Sequence, residues 1–239
     1  MKPLKIRLAL LLFLVVLAGG LVWKDHKVRH QAKAPVVITV QQKAQHMIVF
    51  VNDSDADEAE CTATAIGPHA ILTAEHCNDG EDHYDHIHVD LSRKTYEILA
   101  ENHDGHDHVI YLLNGPAFMN YLSPDKLVNV KPIQPGEEVT IYGDGEGHYP
   151  PQAIYGRVDD KGTADDLSDV DKQEHLTWYS LPVLHGDSGS AIYAKDGRVV
   201  GLVTYGFAQE KESAGFALGY SDKTIQFAYT FSPDKLPQQ

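Results

Sequence analysis

The chain has 239 residues, 43% hydrophobic and 23% charged, which suffices for one large domain or two small fused lobes around a sizeable core. Formal net charge is −14, but residues 1 to 33 hold seven Lys/Arg and a single acid, Asp25. The remainder carries 13 basic and 33 acidic residues, a balance of −20, which argues against nucleic acid as a partner and for long-range attraction of cationic molecules.

The first element is a targeting segment. Lys2, Lys5 and Arg7 precede an uncharged run of 16 residues, Leu8 to Trp23, short for a spanning helix and suited to a signal sequence. Both Val16-Leu17-Ala18 and Ala18-Gly19-Gly20 are usable cleavage sites, while Lys24, Lys27 and Arg29 follow at once. Residues 1–23 therefore fit either a cleaved signal peptide or an uncleaved signal-anchor, and residues 8–23 would be the membrane tether. Both readings put the body outside the cytoplasm, secreted, periplasmic or anchored. Cys61 and Cys77 are the two cysteines, and an oxidising compartment makes a disulfide between them the default.

Residues 24–35 read as a polar linker ending at Pro35. Short β-rich runs follow at 36–40 and 47–51, then an acidic loop at 52–60. The runs 61–66 and 70–74 are joined by the turn signal Gly67-Pro68-His69. Further strands are expected at 86–91, 95–100 and 108–113. Residues 114–135 are irregular and proline-rich, the best connector between two halves. The second half repeats the pattern, with strands at 138–142, 152–158, 175–181, 190–193, 199–205 and 215–218. Asp196-Gly197 is a hairpin turn. The acidic loop 159–174 holds seven carboxylates without the spacing of a calcium loop, and reads as a solvated surface. Only 221–231 has helical character, and 232–239 is a tail. Many short strands at regular spacing indicate an all-β sandwich or barrel.

One stretch carries chemistry. Gly186-Asp187-Ser188-Gly189-Ser190 is a glycine-bracketed turn before the apolar run Ala191-Ile192-Tyr193. Gly186 and Gly189 tolerate backbone angles that a Cβ forbids, so N–H groups can be turned toward one point. A serine hydroxyl there needs a base to take its proton and donors to hold the oxyanion. The same pentapeptide also fits an ordinary turn. The base is offered by His76, just past an apolar strand and beside Cys77. The orienting carboxylate is offered by Asp107, leading into the strand His108 to Leu112, or by Asp104 in the loop before it.

The segment from Cys61 to Leu72-Thr73-Ala74-Glu75-His76-Cys77 resembles the histidine segment of trypsin/chymotrypsin-like serine peptidases, with the cysteine spacing of their histidine-loop disulfide. Asp107 and its strand resemble the aspartate segment. Residues 186–190 resemble the serine segment, and Arg198 to Gly206 resembles the strand that follows it and lines the substrate cleft. The resemblance spans roughly residues 36–231, and the order His, Asp, Ser agrees with it. It implies two six-stranded antiparallel β-barrels, about 36–113 and 136–231, with the active site between them. It further implies Ser188 as nucleophile, His76 as general base and then acid, and Asp107 as orienting carboxylate. The Gly186 and Ser188 N–H groups would form the oxyanion hole. The substrate would be a protein or peptide, with no cofactor and no metal.

The departures are informative. His76 and Asp107 are 31 residues apart, a compact arrangement seen in bacterial and viral members. Ser190-Ala191 replaces Gly-Pro, and no Ile-Val-Gly-Gly sequence precedes the first strands, so activation through a new N-terminal amine is not expected. Aligned on Ser188, the pocket is formed by Pro182, Val183, His185, Thr204, Tyr205, Gly206 and Gly215, without an acid for Arg or Lys. The histidine of glutamate-specific members is replaced by Val203. The expected P1 residue is apolar or small. Two rival readings remain. One is a catalytically silent binding protein on this fold. The other is a metal-binding surface built on His83, His86, His88, His103, His106 and His108, with His86 and His88 on one strand face. Surface histidines flanking the triad, or a pH response, account for the same cluster.

Overall fold

Apolar runs bracketed by Gly, Pro and Asp turns become strands. The computed structural model describes residues 46–50, 61–78, 86–89, 94–115, 118–128, 133–143, 151–159, 176–207, 212–216 and 220–235. The first-half strands among them are β1 (Met47–Phe50), β2 (Cys61–Gly67), β3 (Ala70–Ala74), β4 (His86–Val89), β5 (Lys94–His103) and β6 (His108–Asn114). The second-half strands are β7 (Glu138–Gly143), β8 (Gln152–Val158), β9 (Leu176–Ser180), β10 (Ala191–Ala194), β11 (Val199–Phe207) and β12 (Glu212–Phe216). Two helices accompany them, α1 (Asp125–Val128) and α2 (Asp222–Thr230).

Strands β1 to β6 form one antiparallel sheet in the order β1-β2-β3-β6-β5-β4, and β7 to β12 close into a barrel in the order β10-β11-β12-β9-β8-β7. The edge strands β1 and β4 approach each other, but among the described residues no ladder joins them. The expected pair of six-stranded barrels is thus one closed barrel and one curled six-stranded sheet.

The inner strands are buried on both faces, which is why β3, β6 and β10 read as largely hydrophobic runs, while β2 buries Thr62 and Thr64 among its apolar residues. Alternate residues go to different cores. On β3 and β6, Ile71, Val109, Tyr111 and Leu113 fill the first sheet's interior. Leu72, Ile110 and Leu112 point the other way and meet Ala191, Tyr193 and Leu202 of the second barrel. Each such fully buried side chain contributes about 1.5–3 kcal/mol. The alternation slips on β11, where Val199 and Leu202 join the shared cluster and Val200 and Val203 the barrel interior. A bulge opposite Ile192 and Tyr193 absorbs the extra residue.

The connector 114–135 is not wholly irregular. It carries α1, and Leu122 and Leu127 are buried in the shared cluster. Helix α2 confirms the expected helical segment. Ser221 caps it by accepting from the Thr224 N–H, and Ile225, Ala228 and the following Phe231 dock into the same cluster. Strand β12 begins three residues before the expected 215–218. Its polar start has no apolar signature, yet Ser213 pairs with both β9 and β11. The expected strand at 36–40 and most of the acidic loop 159–174 lie outside the described residues.

Candidate active site

Strand β3 ends in the tight turn Glu75–Asn78, which turns His76 outward and Cys77 inward. Cys77 is bonded to Cys61 at the head of β2, so the turn is tied back to the strand that pairs with β3. The register Ala74↔His108 between β3 and β6 leaves Asp107 opposite the start of this turn. The Asp107 carbonyl accepts from the Glu75 N–H at 3.1 Å. Its carboxylate then grips the next residue twice. Oδ1 accepts from the His76 N–H at 2.8 Å, and Oδ2 lies 2.7 Å from His76 Nδ1. The Asp107 side chain is 14% exposed and the imidazole 39%. The two bonds fix the ring orientation and leave Nε2 as the nitrogen for other work.

The serine turn reaches this assembly through the backbone. Gly186 and Gly189 both have positive φ, +96° and +80°. The Ser188 carbonyl accepts from the Thr62 N–H and the Gly186 carbonyl from the Thr62 hydroxyl, each at 2.8 Å. Thr73 Oγ1 in turn donates to the Thr62 carbonyl. A Cβ on Gly189 would collide with Thr62 O, Thr73 Oγ1 and Ala74 N. The turn therefore lies directly against the end of β3, two residues before His76. Gly189 donates to the Val203 carbonyl, while among the described residues the Gly186 and Ser188 N–H groups donate to nothing. Asp187 is fully buried and closes the turn from below. Its Oδ2 accepts from the Leu184 N–H at 2.8 Å, and its own N–H donates to the Leu184 carbonyl. Its other oxygen packs where a side chain on Gly143 would stand.

The remaining predicted residues separate. Tyr205 lies over the imidazole, ring centroids 6.5 Å apart at 20°. Burial pushes its hydroxyl pKa up, and the Asp107 charge adds to this. Thr204 is buried beside it, while Gly206 is exposed and lets Val183 approach its Cα. Val183 belongs to the barrel core, with Gly215 buried against Leu202. Pro182 is exposed and lines, with Gly143, Ile154, Tyr155 and Leu184, a cleft of about 500 Å³ that holds none of the other predicted pocket residues. His185 is exposed.

Asp104 does not meet His76. It pairs with His108, Oδ2 to Nδ1 at 2.6 Å. The side chains of His83, His86 and His88 lie outside the described residues. His103 bridges Glu75 and Glu101 at 3.0 and 3.1 Å. Among the described residues Cys61, His76 and Cys77 cluster closely enough to suggest metal ligation, but the two sulfurs are bonded to each other. Sequence reasoning missed Thr62, Gly143 and the Asp104–His108 pair. Only the position of Thr62 beside Cys61 hinted at a role.

A model described as a trypsin-like peptidase domain matches residues 61–202. No curated protein sequence matches the chain. Among solved structures, the inactive form of the Rv3671c protease is 18% identical, with a TM-score of 0.58 over 79% of this chain and 90% of that one. The active form, from M. tuberculosis, is 18% identical, with a TM-score of 0.57 over 79% and 82%. A mutant of human heparin binding protein is 12% identical, with a TM-score of 0.58 over 73% and 86%. At these identities the likeness is one of fold.

Proposed function

The chain belongs to the trypsin-like peptidase family, and from that premise we propose that it is a serine endopeptidase working through Ser188, His76 and Asp107. The observation that carries the proposal is the double grip of Asp107 on His76, at 2.8 and 2.7 Å, beside a serine turn docked on the same strand ends. Ser188 Oγ attacks the scissile carbonyl while His76 Nε2 takes its proton. Asp107 keeps the Nδ1–H tautomer and stabilises the imidazolium. The Gly186 and Ser188 N–H groups, which no described residue occupies, receive the oxyanion. His76 then protonates the leaving amine, and a water repeats the sequence on the acyl-enzyme.

An apolar or small P1 residue is supported by sequence alone: no acid stands among Pro182, Val183, His185, Thr204, Tyr205, Gly206 and Gly215, of which only Pro182 lines the cleft beside Gly143. Location outside the cytoplasm is supported by the Cys61–Cys77 disulfide and by the uncharged run 8–23, either removed or kept as a tether. N-terminal sequencing of the mature protein distinguishes these two fates.

Labelling with a fluorophosphonate probe tests the activity. Wild type reacts and Ser188→Ala does not; a wild type that stays unlabelled at neutral pH under oxidising conditions favours the silent binding protein instead. A peptide library dominated by P1 Arg, Lys or Glu sinks the specificity reading.

A further inference from the structure

A second carboxylate–imidazole pair stands beside the first. Asp104 and His108 flank the turn that carries Asp107, at 2.6 Å, with His108 fully buried and the Asp104 side chain 5% exposed. The second Asp104 oxygen accepts from the His106 N–H at 2.8 Å and from the His108 N–H at 3.3 Å. The Asp104 N–H donates to the His108 carbonyl. One carboxylate thus closes residues 104–108 from the inside. Tyr220 seals the pair from the C-terminal segment, its hydroxyl donating to the Asn102 carbonyl and its ring 6.4 Å from that of His108.

Within this turn, Asp107 has φ +60°, a left-handed backbone found at no other non-glycine residue among those described. For an L residue that conformation is unfavourable, and it persists where surroundings over-determine it. The surroundings here are the bonds of Asp107 itself to Glu75 and His76 and, within the turn, the three hydrogen bonds into Asp104. From its left-handed pose, Asp107 directs both carboxylate oxygens at His76. Burial opposes ionisation of Asp104, but the hydrogen bonds and charge of His108 and the His106 N–H hold its pKa below the ordinary value.

We infer that Asp104, clamped by His108, is a positioning residue that holds Asp107 in the pose His76 requires. It touches neither His76 nor the reacting atoms and acts through the turn. The inference rests on the triad reading above.

The test uses the full chain with Asp104→Asn, His108→Leu and His108→Asn. Two readouts are taken, steady-state kinetics and the downfield NMR resonance of the proton between His76 Nδ1 and Asp107. In folded Asp104→Asn, kcat falls by about 10- to 100-fold with KM unchanged, and the resonance moves upfield or broadens. His108→Leu does the same. His108→Asn, whose amide replaces the Nδ1–H donor, recovers most of kcat and the resonance. A folded Asp104→Asn with wild-type kcat and an unmoved resonance overturns the inference. If Asp104→Asn does not fold, the two His108 variants decide: equal loss, or no loss, in both overturns it. Should wild type hydrolyse nothing, the proposed function falls, while the resonance, read without substrate, still decides the role of Asp104.

Discussion

A single methyl group is enough to test how the serine turn is held. At Gly189 the backbone is left-handed, and a Cβ would meet Thr62, Thr73 and Ala74 at once. Gly189→Ala should lower kcat/KM by about 100-fold, because the turn must retreat from the end of β3. Steady-state kinetics beside a thermal melt checks that the loss exceeds any loss of folding. Asp104 makes a different prediction, in pH. Its carboxyl titrates lower in the folded chain than in the unfolded one, despite burial, through its bonds with His108 and His106. A group depressed in this way adds stability above its unfolded pKa of about 3.9 and loses it as pH falls through the folded value. The charged and titratable groups facing it are His106 and His108 on its own turn and Tyr220 across from it. The Asp104 carboxyl carbon resonance should therefore hold its ionised shift from neutrality to about pH 4 and move below it, as followed by an NMR titration.

The disulfide acts on an element, the β2–β3 hairpin with its terminal turn. Its cysteines are 16 residues apart. Closing a loop of that length contributes about 3 kcal/mol in the chain-entropy picture. In a domain of this size that corresponds to roughly 6–12 °C in melting temperature. Calorimetry of Cys61→Ser/Cys77→Ser should show a fall of that order, with a loss of kcat as the His76 turn loosens. At this scale the sequence was most readable. Strands such as Ala70–Ala74 and His108–Asn114 are announced by apolar runs between turn residues, because burial on both faces requires them. Register was not readable. Asp104 and Asp107 precede the same strand, and composition does not separate them. The pairing Ala74↔His108 does, by setting Asp107 across from Glu75 and His76. The polar start of β12 was likewise hidden, since it depends on partner backbones rather than on local pattern.

Across the whole molecule, the body beyond residue 33 carries a charge balance of −20. A field of that sign concentrates cationic substrates and is screened over about 10 Å at 0.1 M salt. For peptides matched at P1, kcat/KM of a Lys-flanked sequence should fall about tenfold between 0.01 and 0.15 M salt, while a neutral one stays level; stopped assays at graded ionic strength measure it. The bond from Thr62 to the Gly186 carbonyl has a further consequence. It spans 124 positions of chain and joins the first sheet to the second barrel. Loop closure over that distance precedes any contact that rewards it. During refolding, the Gly186–Gly189 turn therefore acquires this support only after both halves have met. Under the proposed function, catalytic competence is then gained no earlier than this contact between the two halves.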